Sequence, residues 1–333
     1  MVARRDWRRK GRRETAPCFA AIDLGTNNCR LLIVTPQSKG FRVVDAFSRI
    51  VRLGEGLGST GRLGDAAMDR TMDALKICAD KLAARNIKRL RCIATQACRQ
   101  ASNGPDFLQR IEKEIGLNFD VITPEEEATL SVKGCHDLID PAAKAVMVFD
   151  IGGGSTEISW INTSTDPMTT GAWTSMPYGV VTVAERHGHA EMTRAEFDAI
   201  ANDVASLVRQ TSVPDEIADA FRNGDAHLIG TSGTVTSLAG VHLKLKRYVR
   251  RDVDGLWLTA AEAAAVTESL RSAGAVARAE EPCIGEERAD LVIPGCAILQ
   301  GILQAWPTDR IRVGDRGLRE GVLIDLIEQW RRR

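Results

Sequence analysis

Apolar residues in this chain come in short runs separated by longer stretches of helical spacing. Ala145–Phe149 is a continuous apolar run that ends at Asp150, which predicts a buried strand. Gly152, Gly153, Gly154, Ser155 and Thr156 follow, and then Ile158 and Trp160 alternate with Glu157 and Ser159, so the segment reads as strand, tight loop, strand. The same pattern stands near the N-terminus in Cys18–Val34, where an apolar run ends in Asp23, Leu24-Gly25-Thr26-Asn27-Asn28 follows, and a second apolar run begins. Asp23–Asn28 aligns with Asp150–Ser155, 127 residues later. Two like hairpins about one domain length apart predict a duplicated fold with a cleft between its halves.

The remaining pattern fits that plan. In the first half Phe41–Ala46, Leu90–Ala94 and Phe119–Ile122 read as strands, with helices over Met68–Arg85 and about Pro105–Ile115. In the second half Trp173–Pro177, His227–Gly230 and Ile311–Val313 read as strands. Helices are expected over Phe197–Gln210, from Val235, over Leu258–Leu270, over Cys296–Trp306 and over Leu318–Trp330. Alternating strands and helices predict an α/β architecture. Thr123-Pro124-Glu125-Glu126 has the form of a capping box, with Thr123 as N-cap and Glu126 at the third helical position, and the helix dipole explains acids in that first turn. Glu127 lies past the box and is less well explained by it.

Composition adds limits. The chain of 333 residues can hold two domains with their own cores, and a hydrophobic share of 44% with 26% charged residues is that of a water-soluble globule. Lys+Arg and Asp+Glu are 44 each, so bulk charge gives no reason to expect a nucleic-acid partner. The charge is uneven: residues 1–14 are net +5, read as a solvated basic tail or a weak polyanion contact, and the remainder is net −5. No apolar run approaches the ~18 residues of a membrane span, and no apolar stretch follows the basic start as in a signal peptide, so no membrane partner is expected. The eight cysteines form no CxxC pair, which points to a reducing cytoplasmic setting rather than a zinc site or disulfide framework.

The two hairpin loops carry the candidate chemistry. Loop glycines let backbone N–H groups form a concave nest for an anion, and the hydroxyls of Ser155 and Thr156 add donors. A Gly-rich hairpin turn explains Gly152–Gly154 equally well when taken alone. Its second copy favours two phosphate loops that face each other across a cleft. Asp150 cannot itself hold phosphate, and it makes sense there if it holds a divalent cation or a water. Thr231–Thr234, a small-residue turn between strand and helix, is either a packing turn or an anion site.

Asp23–Asn28 (DLGTNN) and Asp150–Glu157 (DIGGGSTE) resemble the paired phosphate motifs of the actin, hexokinase and acetate-kinase superfamily, whose domains are ribonuclease H-like. Within it the chain resembles the Ppx/GppA phosphatase family, through ATQACR, ITPEEEATLSVKG, SMPYGVVTVAER, GTSGTVTSLAG, ERADLVIPG and GLREGVLIDL. The resemblance covers nearly the whole chain from about Phe19. It implies two ribonuclease H-like domains flanking a cleft, drawn here as 17–125 plus 317–333 and as 126–316, after a tail of residues 1–16.

The resemblance implies an exopolyphosphatase that releases orthophosphate from polyphosphate ends. Guanosine pentaphosphate (pppGpp) phosphohydrolysis is the alternative, and a superfamily ATP-dependent kinase or a non-catalytic ppGpp-type alarmone binder is more remote. Glu127 would be the base that activates water, chosen over Glu126. Asp150, with Glu157 as second ligand, would hold Mg²⁺ or Mn²⁺. Thr26, Asn27, Asn28, Arg30, Arg99, Gly152, Gly153, Gly154, Ser155, Thr156 and Arg288 would bind substrate. A cytoplasmic homodimer is expected. Larger family members continue into a helical extension that this chain lacks, and the only spare positive clusters read from the sequence are the N-terminal tail and Arg331–Arg333. The expectation is therefore a distributive enzyme that favours short polyphosphate.

Overall fold

The computed structural model describes residues 16–187 and 191–332. The basic segment 1–14 and Arg333 lie outside the described residues.

In the first half, β1 (Cys18–Leu24), β2 (Asn28–Pro36) and β3 (Phe41–Ile50) form an antiparallel meander. After α1 (Leu57–Thr60) and α2 (Asp65–Ala83) comes β4 (Ile87–Ala94), then α3 (Gln96–Gln100), α4 (Gly104–Ile115) and β5 (Phe119–Val121). The sheet order is β3-β2-β1-β4-β5, with β4 parallel to β1 and β5 parallel to β4. The link to the second half is α5 (Pro124–Cys135). There β6 (Ala145–Ile151), β7 (Thr156–Asn162) and β8 (Thr169–Met176) repeat the antiparallel meander. The chain continues through α6 (Val180–Arg186), α7 (Arg194–Arg209), α8 (Asp215–Arg222), β9 (Ala226–Thr231), α9 (Ser232–His242), α10 (Arg250–Val253) and β10 (Trp257–Leu258). It ends with α11 (Ala260–Glu280), α12 (Val292–Ala305), β11 (Ile311–Gly314) and α13 (Leu318–Arg331). The second sheet runs β10-β11-β9-β6-β7-β8, with β9 parallel to β6 and β11 parallel to β9. Apart from the two-residue edge strand β10, both sheets have one topology, that of the ribonuclease H-like fold, so the duplication read from the hairpins extends to whole sheets.

Both central strands are buried on two faces, which explains their continuous apolar runs. Ala20, Ile22 and Leu24 face α2 and α4, while Phe19 and Ala21 face α13 through Val322 and Leu323. In the second sheet Met147, Phe149 and Ile151 face the core that includes α7 and α12, while Val146 and Val148 face the end of α5 at Cys135.

The chain passes between the halves through α5 and returns through α13, and these two helices cross backbone to backbone. A Cβ on Gly134 would lie 1.9 Å from the Gly317 carbonyl oxygen, and one on Gly321 would lie 2.0 Å from that of Leu130. Lys133 Nζ on α5 donates to Asp325 and, at 2.7 Å, to Glu328 on α13. On the far side of the cleft, Arg52 pairs with Asp290 at 3.1 Å and the Gly56 amide donates to Glu185 at 2.7 Å.

Besides the short α1, α3, α10 and β10, which the sequence reading did not include, two elements depart from it. The helix expected over Leu258–Leu270 continues to Glu280, kinked at Gly274, where φ is 79°. The eight-residue α8 was not anticipated, because only Ile217 and Ala220 are buried and two positions make no visible period.

Candidate active site

The two hairpins are built alike down to single hydrogen bonds. The Gly25 amide donates to the Asn28 carbonyl at 2.9 Å, and the Gly152 amide donates to the Ser155 carbonyl, also at 2.9 Å. Asp23 pairs with Arg30 across the first hairpin, and Asp150 pairs with Glu157 across the second. The loops touch: a Cβ on Gly153 would lie 3.0 Å from the Asn27 amide nitrogen, and one on Gly154 would lie 1.3 Å from Gln96 Oε1. Only glycine permits that approach. The Asn27 carbonyl accepts from the Val51 and Arg52 amides, which pins the first loop from behind.

Between the hairpins lies a cavity of about 450 Å³. Its lining includes Asp23, Thr26, Asn27, Asn28, Arg30, Glu127, Asp150, Gly152, Gly153, Gly154, Ser155, Glu157 and Arg288. Ser232, Gly233 and Thr234 at the start of α9 also line it, so the small-residue turn faces the cavity.

Glu126 and Glu127 are separated by their place on α5. The Glu126 amide donates to Thr123 Oγ1, but the reciprocal half of the expected capping box is missing. Arg91 instead takes the Glu126 carboxylate at 2.6 Å, and Glu126 does not line the cavity. Glu127, with its side chain 12% exposed, faces the cavity. Burial raises its pKa well above the ordinary carboxylate range, the Glu157 charge adds to this, and Arg99 opposes it. Burial likewise raises Asp23 and Asp150, and pushes Glu157 up to about 7 against the hydroxyls of Ser155 and Ser175. Ser175 Oγ donates to Glu157 at 2.7 Å and fixes its carboxylate.

Two of the expected substrate-binding residues do not line the cavity. Thr156 is fully buried and donates to the Tyr178 carbonyl at 2.6 Å, so its hydroxyl is used within the fold and does not line the cavity. Arg99 donates to the Ile122 carbonyl at 2.6 Å and lies 3.5 Å from Glu127 Oε2, behind the carboxylate and outside the lining. Arg319, on the first turn of α13, which the sequence reading passed over within GLREGVLIDL, does line the cavity. Burial lowers the Arg319 pKa, and the charges of Glu320 and Asp23 oppose this. Among the described residues the guanidinium groups of Arg30, Arg288 and Arg319 make no hydrogen bond or ion pair with the protein, yet all three line the cavity. By contrast Arg316, also in the lining, is held by Asp254.

The donor set here fits a divalent cation that does not need a protein cage. Among the described residues no three His, Cys, Asp or Glu side chains converge closely enough to cage a metal alone. Asp150 and Glu157, crowded, buried and raised in pKa, fit a cation that takes one or two carboxylates and completes its shell with substrate phosphates and water, as Mg²⁺ does.

No helix among the described residues is long and apolar enough to cross a membrane. The family model of the Ppx/GppA phosphatase family matches residues 32–329. A solved Ppx/GppA family member from Aquifex aeolicus is 26% identical, with 94% of this chain and 98% of that one covered at a TM-score of 0.75. An exopolyphosphatase-like protein is 30% identical, with 94% and 99% covered and a TM-score of 0.82. A structure described as an exopolyphosphatase from Cytophaga hutchinsonii is 25% identical, with 94% and 98% covered and a TM-score of 0.82. With the family model spanning nearly the whole chain and the duplicated hairpins enclosing one cavity, this chain belongs to the Ppx/GppA phosphatase family.

Proposed function

We propose that this protein is an exopolyphosphatase that hydrolyses the terminal phosphoanhydride bond of inorganic polyphosphate and releases orthophosphate. The observation that carries the reading is the set of unpaired guanidinium groups, Arg30, Arg288 and Arg319, around the cavity that a buried carboxylate, Glu127, also faces. Half-buried guanidinium groups that face a cavity without an acid to hold them are free to take an anion, and a chain of phosphates offers acceptors at each position. A carboxylate whose pKa is raised is a base suited to near-neutral pH.

The terminal phosphoryl lies between the two hairpin loops, with the amides of Gly153 and Gly154 as neutral donors. Arg30 and Arg319 neutralise its non-bridging oxygens. Glu127 takes a proton from the attacking water, and Arg99 behind it holds the carboxylate in place. Asp150 and Glu157 would hold Mg²⁺ or Mn²⁺, whose charge would offset that developing on the transferred phosphoryl group. Ser232, Gly233 and Thr234 at the α9 terminus face the departing phosphate chain.

A second reading is supported by one feature. Pro282, Ile284 and Leu291 give one end of the cavity apolar walls, which serve a nucleoside better than a phosphate chain. Hydrolysis of pppGpp, with the guanosine at that end, is the alternative activity. Orthophosphate release from polyphosphate, pppGpp and ATP in parallel tests both. Release from polyphosphate supports the first reading, release from pppGpp alone supports the second, and release from neither excludes both.

A further inference from the structure

The segment from His242 to Arg251, HLKLKRYVRR, contains Lys244, Lys246, Arg247, Arg250 and Arg251 and no acid. It follows α9 and reaches the cavity at Tyr248. Lys244, Lys246, Arg247 and Tyr248 are exposed. The segment is tied down on both sides. The Leu245 amide donates to the Gly240 carbonyl at 3.1 Å, and Leu245 packs on the core of the second half. Tyr248 lines the cavity and its hydroxyl donates to Asp315 at 2.7 Å. Arg250 donates to the Asp315 carbonyl and, at 3.0 Å, to Glu320.

Those anchors use Tyr248 and Arg250, Arg251 pairs with Asp252 at 3.2 Å, and three cations are left over. Among the described residues Lys244, Lys246 and Arg247 make no side-chain hydrogen bond or ion pair. Three unpaired cations within four residues repel one another, on a chain whose formal net charge is zero. Such a cluster, next in sequence to a residue that lines the cavity, has an evident use if the cavity takes the end of a polyphosphate. A polyphosphate longer than the cavity must leave it carrying one negative charge for each internal phosphate. Cations fixed at the exit neutralise those charges, release counterions and raise the local concentration of the chain.

We propose that the Lys244–Arg251 segment binds the internal phosphates of a polyphosphate whose end lies between the two hairpin loops. This rests on the exopolyphosphatase reading of the cavity. It reverses the short-chain preference expected from the sequence, where charge was summed over the whole chain and only the N-terminal tail and Arg331–Arg333 were counted as spare.

The test is the triple variant Lys244→Gln, Lys246→Gln, Arg247→Gln, whose side chains are exposed and unpaired, so that the thermal melt is expected to stay unchanged. Its kcat/KM is measured on long polyphosphate and on tripolyphosphate over a range of salt. The expected result is a loss of about tenfold or more on long polyphosphate, carried by KM and with a shallower salt dependence, and no change on tripolyphosphate. The charge-keeping variant Lys244→Arg, Lys246→Arg, Arg247→Lys is expected to retain wild-type KM. An unchanged KM on long polyphosphate, or an equal loss on both substrates, would overturn the proposal. Binding of fluorescently labelled long polyphosphate separates the segment from the activity. If the wild type releases no phosphate, the activity reading fails, and the segment's role still stands or falls on whether the Gln variant binds the labelled polymer about tenfold more weakly. Equal competition by an oligonucleotide of matched charge would identify a nucleic-acid contact instead and overturn the assignment to polyphosphate.

Discussion

Arg30 and Glu157 occupy the same place in the two halves: each pairs, in register, with the aspartate that ends the central strand, Asp23 in one hairpin and Asp150 in the other. One scaffold thus presents a cation from the first half and an anion from the second to a shared cavity. The first hairpin is equipped to take phosphate oxygens and the second to take a metal ion or water. Replacing Arg30 by Gln removes a guanidinium that makes no hydrogen bond among the described residues, although its charge also offsets the burial of Asp23 and Asp150. The expected result is a KM for polyphosphate raised about 10- to 100-fold, in line with the roughly 1.5–3 kcal/mol of a charge-assisted hydrogen bond. Steady-state kinetics checks this, and an unchanged KM would remove Arg30 from the substrate site.

Asp150→Asn replaces a hard anionic ligand by a neutral amide. The Mg²⁺ concentration needed for half-maximal activity is expected to rise steeply, with little change in the thermal melt. A metal titration reads it directly, and an unchanged requirement would place the metal elsewhere.

Glu157 makes stability depend on pH. Its pKa in the folded protein, about 7, lies above the ordinary 4.5, so the folded state keeps a proton that the unfolded chain releases. The stabilisation is fully present below about pH 4.5 and is lost as pH rises through about 7. At pH 8 the wild type, free of metal and substrate, is expected to be less stable than Glu157→Gln by up to about 3 kcal/mol. At pH 4.5 the difference should vanish. Melts of the two proteins at both pH values check this, and an equal difference at the two would refute it.

Gly134→Ala probes the crossing of α5 and α13. The added methyl group would meet the Gly317 carbonyl oxygen at 1.9 Å, so the helices must move apart. A loss of about 1–3 kcal/mol is expected in urea unfolding. Activity should fall as well, because α5 carries Glu127 and α13 carries Arg319.

The sequence made the hairpins legible because an apolar run, an aspartate and a glycine loop recur at a fixed interval, and local pattern suffices to show that. It made the helix over 318–331 legible by its period, but not its crossing with α5, which depends on Gly134 and Gly317 meeting across 183 positions of chain. Site residues taken by motif alone fared unevenly. Glu127 and Arg288 line the cavity, whereas Thr156 and Arg99 turn to backbone carbonyls that no sequence pattern marks. Arg319 was hidden because one arginine at a helix start has no distinguishing neighbours. The Lys244–Arg251 run was visible as sequence, and only the place of its Tyr248 in the cavity wall gives it meaning.

The central claim is that Glu127 activates water for attack on a terminal phosphoanhydride. It is tested most directly by orthophosphate release from polyphosphate in the presence of Mg²⁺, measured for the wild type, Glu127→Gln and Glu126→Gln, with polyphosphate binding measured alongside. Glu127→Gln keeps the shape of the side chain and removes its basicity, so kcat is predicted to fall by roughly 10²–10⁴ while binding is retained. Glu126→Gln, whose carboxylate is engaged by Arg91 outside the cavity, is predicted to keep near-wild-type turnover. Near-wild-type turnover by Glu127→Gln, with Glu126→Gln inactive, would contradict the account.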